Sequence, residues 1–187
     1  MKKADALEFA ILGLLHDGPL HGYELRKRLS QTLGTLQAIS FGSLYPALAG
    51  LVANGYITER SEGGSGRSGE STAAKRNRIE YRLTPSGKQR FNTLLADDGP
   101  NAWDDEGFRV RFAFFGRADA DTRTSILEGR RLRLAERRAL MREALRQARE
   151  RVDAYTLELQ RHGLEGVERE MRWLDDLIAA ENRQQHQ

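Results

Sequence analysis

Residues 40–57 read SFGSLYPALAGLVANGYI, from Ser40 to Ile57. Leu44, Leu48, Leu51 and Val52 recur at helical spacing, which predicts a helix with one buried face. Asn54-Gly55 ends it, because both residues tolerate positive φ. The front of this helix is unusual. With the leucines committed to a core, the exposed positions are Ser40, Gly42, Ser43, Tyr45, Pro46 and Ala47, small residues around a tyrosine–proline step. A helix of this kind is built to be read by something other than its own core.

The flanking sequence says by what. Leu7, Ala10, Ile11, Leu14 and Leu15 predict a first amphipathic helix, stopped by Asp17-Gly18-Pro19. His21-Gly22 leads into a second, with Tyr23, Leu25, Leu29 and Leu33 on or near one face and Gly34 as its stop. After the third helix the period falls to two. Tyr56-Ile57-Thr58 predicts a short strand, and Ile79, Tyr81 and Leu83, alternating with charged residues, predict its partner. Between them SEGGSGRSGESTAAKRNR reads as a long hairpin tip with a basic base. Thr84-Pro85 starts a fourth helix, with threonine as N-cap, proline at the first helical position, and Phe91, Leu94 and Leu95 on the buried face.

Three helices, a hairpin and a fourth helix make a winged helix-turn-helix. The fold class is therefore mainly α with a small β-hairpin. Residues 1–98 form a winged-helix DNA-binding domain, and Asp97-Asp98-Gly99-Pro100 marks its boundary. In such a motif the second helix of the pair enters the major groove. Ser43 and Tyr45 can then donate to phosphates, and Pro46 and Ala47 can touch thymine methyl groups. No Arg, Asn or Gln stands in this front, so shape and apolar contact outweigh a hydrogen-bond code. Lys75, Arg76 and Arg78, where the returning strand begins, suit the DNA backbone. Tyr23 either reaches a phosphate from the neighbouring helix or braces the three-helix core.

Residues 99–187 have another character. Trp103, Phe108, Phe112, Phe114 and Phe115 form an aromatic segment that reads either as an interdomain core or as the lining of a pocket for a flat ligand. Asp119 or Asp121 caps a long helical run in which Leu134, Met141, Leu145, Ala148, Val152, Tyr155 and Leu159 follow a seven-residue repeat. His162-Gly163 is expected to end that run. Val167, Met171, Leu174 and Ile178 mark a last helix. Two antiparallel helices with so narrow a seam bury too little surface alone. A second copy of the chain is the expected partner, with Leu134, Met141, Leu145, Val152, Tyr155, Leu159, Met171, Leu174 and Ile178 at the dimer seam.

The 187 residues hold no cysteine, which excludes disulfides and thiolate chemistry and fits a reducing cytoplasm. No apolar run has the length of a membrane span. Net charge is only +3, but Arg60 to Arg90 carries eight basic and three acidic residues, a local patch suited to a polyanion. No nucleophile elbow, phosphate-cradling loop or metal-spaced histidine pair is present. The sequence predicts no enzyme, no metal and no cofactor.

AILGLLHDGPLHGYELRKRL, GSLYPALAGLVANGYI and IEYRLTPSGKQRF, in that order, resemble the PadR family of bacterial transcriptional regulators over about residues 7–95. The C-terminal half resembles the longer helical dimerisation domain of one branch of that family. The resemblance implies a homodimer, usually a repressor, on double-stranded DNA with a dyad-symmetric operator. It places Ser43, Tyr45, Pro46 and Ala47 in the major groove and Lys75, Arg76 and Arg78 on the backbone. It implies release by a small aromatic or amphipathic effector, for which Trp103 and Phe108 are candidates by position. The Gly/Ser tip from Glu62 to Ala74 is longer than the family's usual wing. The alternative reading is a winged-helix protein-interaction or assembly module without specific DNA binding.

Overall fold

The computed structural model describes residues 3–34, 41–61, 79–148 and 153–185. Ser40, Lys75, Arg76, Arg78 and Val152 lie outside them. The chain forms two compact units: Met1–Asp97 with Arg109–Gly116, and Asp98–Phe108 with Arg117–Gln187.

In the first unit, α1 (Lys3–Leu15), α2 (Gly22–Leu33), α3 (Phe41–Ala53) and α4 (Pro85–Leu95) combine with strands β1 (Leu20–His21), β2 (Ile57–Ser61) and β3 (Ile79–Leu83). This is a winged helix. α1 is its hub. The leucines and Ile11 of the expected face are buried, and so are Ala6, Phe9 and Leu12, because α2, α3, α4 and β3 all pack on this one helix. Leu25, Leu29, Leu44, Leu48, Leu51 and Phe91 close around it. Each such side chain contributes about 1.5–3 kcal/mol on leaving water.

The sheet has one more strand than the sequence predicted. β3 is central, in the order β1-β3-β2. Ile57 stands opposite Leu83 and Ser61 opposite Ile79, while Leu20 stands opposite Tyr81. β1 is two residues long, too short to show alternation. It is extended because its partner strand is there to pair with.

The end of α3 and the start of α4 are fastened to each other. Gly55 N donates to Val52 O and Tyr56 N to Leu51 O, both at 2.9 Å, with Gly55 at φ +70°. That is a helix C-terminus closed by a left-handed glycine. Thr84 N then donates to Tyr56 O at 3.0 Å, and the Thr84 hydroxyl lies 2.7 Å from Gly55 O. The same hydroxyl oxygen accepts from Gly87 N at 3.0 Å, which makes Thr84 the N-cap of α4 with Pro85 at the first helical position. Gly87 passes so close that a Cβ there would overlap the Tyr56 carbonyl oxygen.

The second unit holds α5 (Pro100–Trp103), the first half of α6 (Asp105–Phe112), α7 (Ala120–Ala148) and α8 (Ala154–Gln185). α7 and α8 are antiparallel: Arg123 near the start of α7 pairs with Glu181 near the end of α8, and Arg142 pairs with Glu168. Ile126, Leu127 and Leu134 of α7 and Val167, Met171 and Leu174 of α8 are buried, and the two helices pack along their length. Arg130 is buried there, bonding Glu170 Oε1 through Nε (2.8 Å) and Nη2 (2.7 Å) and the Trp103 carbonyl through Nη1 (2.9 Å).

The helix break differs from the expected one. His162 and Gly163 lie inside α8, and the chain turns between Ala148 and Ala154. Two causes are visible. Asp153 caps α8, accepting from Tyr155 N (2.9 Å), Thr156 N (3.0 Å) and the Thr156 hydroxyl (2.6 Å). Gly163 in turn costs a helix only roughly 1 kcal/mol, too little to break one that packs along α7, where the Met141 methyl lies 3.0 Å from the position of a Cβ. Asp119 caps α7 in the same way through Thr122. Among the described residues no helix is long and apolar enough to cross a membrane.

Two tests follow from these fasteners. Gly87→Ala should lower stability by on the order of 3 kcal/mol, since the Tyr56 carbonyl must move. Gly50→Ala, on an open face of α3, should raise it by about 0.5–1 kcal/mol. Urea titration of both variants checks the pair. The bonds from Thr122 and Thr156 hold the Asp119 and Asp153 carboxyls below their ordinary pKa values. Their capping is therefore complete above about pH 4 and is lost as pH falls through the lowered values. Asp153→Asn should keep the cap and flatten the acid limb of a helicity–pH curve, which an unchanged limb would contradict.

Candidate nucleic-acid interface

α3 presents a clean division of faces. Leu44, Leu48 and Leu51 are buried, whereas Gly42, Ser43, Pro46, Ala49, Gly50 and Ala53 are exposed. The outward face is thus small-residue along its whole length, and Ala49, Gly50 and Ala53 extend the predicted front by two turns. Pro46 lies within the helix. It forfeits the bond to the Gly42 carbonyl, and Gly42 is exposed, so water can serve that oxygen. A backbone so bare can come close to another surface.

Tyr45 and Ala47 are half-buried. The Tyr45 ring leans on the first residue of α2: its hydroxyl is 3.4 Å and its Cε1 3.5 Å from where a Gly22 Cβ would stand, with Tyr81 Cε2 at 3.6 Å. A Cβ at position 22 would meet the ring only at ordinary contact distance, so the ring rests over Gly22 without crowding it. Tyr45 therefore joins α3 to α2 at the same time as its polar end reaches the α2 N-terminus. His21 precedes that terminus in an extended conformation and makes no side-chain cap.

Tyr23 is 57% exposed, so it does not brace the core. One turn on, Lys27 is exposed on the same face of α2. The sequence reading passed over Lys27, although the run Arg26-Lys27-Arg28 beside an aromatic was there to be seen. Arg28 is engaged with Glu24 at 2.9 Å, and this bond holds the Glu24 carboxyl below its usual range. On the strands, Arg82 is paired with Glu80 at 3.4 Å, while Arg60 is exposed on β2 opposite Glu80.

In the second unit, the Trp103 indole packs on α7 where Gly129 has no side chain. Phe108 is buried under the Arg130 guanidinium at 5.4 Å and meets Trp173 edge-on at 6.1 Å. Beside Arg130 opens a groove of about 680 Å³ lined by Asp104, Asp105, Arg133, Arg137 and Leu140 among others. Leu134, Met171 and Leu174 are buried within the α7–α8 pair of a single chain, and Met141, Leu145 and Ile178 are half-exposed. Tyr155 is 90% and Leu159 72% exposed, one turn apart on α8.

The family model described as "Transcriptional regulator PadR-like family" matches residues 11–93. Among curated proteins, the Negative transcriptional regulator PadR of Bacillus subtilis (strain 168) is 33% identical over 94 residues, 50% of this chain and 47% of that protein. In that match the chain spans about half the length of its relative. Among solved structures, Bacillus subtilis PadR in complex with operator DNA is 22% identical, with 94% of this chain and 98% of that chain covered at a TM-score of 0.42. The same regulator in complex with p-coumaric acid is 22% identical, with 95% and 99% covered and a TM-score of 0.42. A PadR-like transcriptional regulator from Bacillus cereus is 18% identical, with 95% and 99% covered and a TM-score of 0.41. Residues 11–93, which run from α1 into α4, are a transcriptional regulator PadR-like family domain.

Proposed function

We propose that the chain is a sequence-specific DNA-binding regulator that acts in the cytoplasm as a homodimeric repressor. The observation that carries this reading is the outer face of α3. It is small-residue throughout, and Tyr45 sits at its N-terminal end against the start of α2. An interaction module would offer large apolar side chains there. A groove reader needs close backbone approach and hydroxyls near phosphates. Ser43 and Pro46 lie on that face, the half-buried Tyr45 and Ala47 border it, and Tyr23 and Lys27 are exposed on α2; Ser40, Lys75, Arg76 and Arg78, outside the described residues, are proposed to bind DNA on their sequence alone. The curated relative is itself a negative transcriptional regulator, which supports the repressor sense.

The second copy docks on the helical unit. Leu132, Leu140, Tyr155, Leu159 and Trp173 are exposed there, more large apolar surface than a solitary helix pair keeps in water. Such a dimer presents two α3 helices to one duplex and calls for a dyad-symmetric operator. Trp103 and Phe108 are our candidates for sensing a small aromatic effector. Arg130 touches both, through its bond to the Trp103 carbonyl and its guanidinium over the Phe108 ring, and lines the adjoining groove.

The test is selection from random duplex DNA by the purified protein. A dyad-symmetric motif is expected, and a pool bound only at low salt without a motif would favour the interaction-module reading. On the selected duplex, Tyr45→Ala should weaken binding at least tenfold and Tyr45→Phe less, since phenylalanine keeps the packing on Gly22. Equal affinities for all three would remove Tyr45 from the interface. Replacing Arg76 and Arg78 with alanine should reduce the slope of log K against log salt by roughly one unit per lost phosphate contact, and an unaltered slope would take the wing off the DNA.

A further inference from the structure

The DNA-reading unit is not completed by the family domain alone. Residues 109–116 close the remaining side of α1. Phe114 occupies the notch left by Gly13, where a Cβ would overlap its ring. It meets Phe9 and Phe91 edge-on, at 5.5 and 5.8 Å. Arg111 is 1% exposed, its guanidinium 5.7 Å from the centre of the Phe9 ring and its Nη2 3.0 Å from Asp97 Oδ2. Since α3 packs on α1, these residues brace the helix that carries the proposed reading face.

The route of the chain gives the brace a second meaning. The chain leaves the first unit after Asp97, spends Asp98–Phe108 in the second, and returns at Arg109. Each end of this excursion is fastened. Asp97 is held by Arg111, and its neighbour Asp98 accepts from the Ser125 hydroxyl at 2.6 Å in the second unit. Phe108 is held there by Trp173 and Arg130, three residues before Arg111 on the same helix.

We propose that residues 109–116 are a coupling peg, with Arg111 and Phe114 as positioning residues: seated, they hold α1 and α3 in the reading arrangement, and strain on 98–108 unseats them. This rests on the proposed DNA-binding function. The choice of arginine supports it. A buried guanidinium gives up hydration that its pairing only partly returns, whereas an apolar residue would fill the same space without that loss. The seated state is thus poised against one in which Arg111 regains water, the property a two-state element requires.

The test is a double-mutant cycle on the intact chain, read as affinity for the duplex recovered by selection with the wild-type protein. Trp173→Ala removes the partner of Phe108 in the second unit; Arg111→Met fills the buried site without charge. Trp173→Ala should shift Kd about fivefold or more in the wild-type background and less than about twofold beside Arg111→Met. The same factor in both backgrounds, or no effect of Trp173→Ala alone, overturns the coupling. Should Arg111→Met fail to fold, Asp97→Asn opens the same pair from its solvent-facing side and takes its place in the cycle. Hydrogen exchange adds a readout that a merely structural brace would not move. Operator binding should slow exchange of the 109–116 amides, and unchanged rates count against the peg. A wild-type protein that selects no duplex defeats the DNA-binding reading itself, whereas binding with additive variants defeats only the coupling.

Discussion

The carbonyl oxygen of Tyr56 is the point on which the first unit turns. It accepts from Thr84 N and lies 3.0 Å from the Thr84 hydroxyl, and only a glycine at position 87 can pass it. That one group fixes where α3 ends, where β2 begins, where β3 ends and where α4 begins. A buried carbonyl demands partners, and here the N-cap of one helix satisfies the C-terminal turn of another. α3 cannot rotate about its axis without breaking this junction, so its leucines stay on α1 and its small residues stay outward. The outward face of α3 follows from a packing constraint at its far end.

The two units hold together by different physics. The first is an aromatic and aliphatic core around α1. The second sets a narrow apolar seam inside a ladder of arginine–carboxylate pairs: Arg123–Glu181, Arg131–Asp175 and Arg142–Glu168 cross from α7 to α8. Arg123–Glu181 is half-buried and the other two are more exposed; exposed pairs contribute about 0–1 kcal/mol each, enough to choose the register of two helices but not to replace a core. Arg130 is the exception, because it is buried and fully engaged with Glu170, Asp105 and the Trp103 carbonyl. Losing one of its partners would leave a charge away from water. Arg130, Trp103 and Phe108 lie together in the second unit, and Phe108 is the last residue of its Asp98–Phe108 segment.

Local signals in the sequence were legible and tertiary ones were not. The Asn54-Gly55 stop and the Thr84-Pro85 start are chemistry between near neighbours, and both stand where the residues said. β1 escaped notice because two residues carry no period. The break before α8 escaped because the seven-residue repeat runs straight across it. A signal is nevertheless present: Asp119-Ala-Asp-Thr122 and Asp153-Ala-Tyr-Thr156 are the same capping pattern, and the first lies where the sequence predicts a helix start. In the candidate site, the bare front of α3 follows from helical geometry alone. That Tyr45 rests on Gly22, that Phe114 fills the space at Gly13 and that Arg111 is buried depend on elements distant in sequence, and no spacing rule predicts which aromatic meets which glycine.

The central claim is that the exposed N-terminal front of α3 lies in the DNA groove. The chain has no cysteine, so Ser43→Cys creates a single attachment point for an iron chelate that cleaves nearby DNA. On the duplex selected by the wild-type protein, the account predicts two clusters of strand cleavage related by the dyad of the site, one for each α3 of a dimer. Cleavage spread evenly along the duplex, or none at all while the labelled protein still binds, would contradict it.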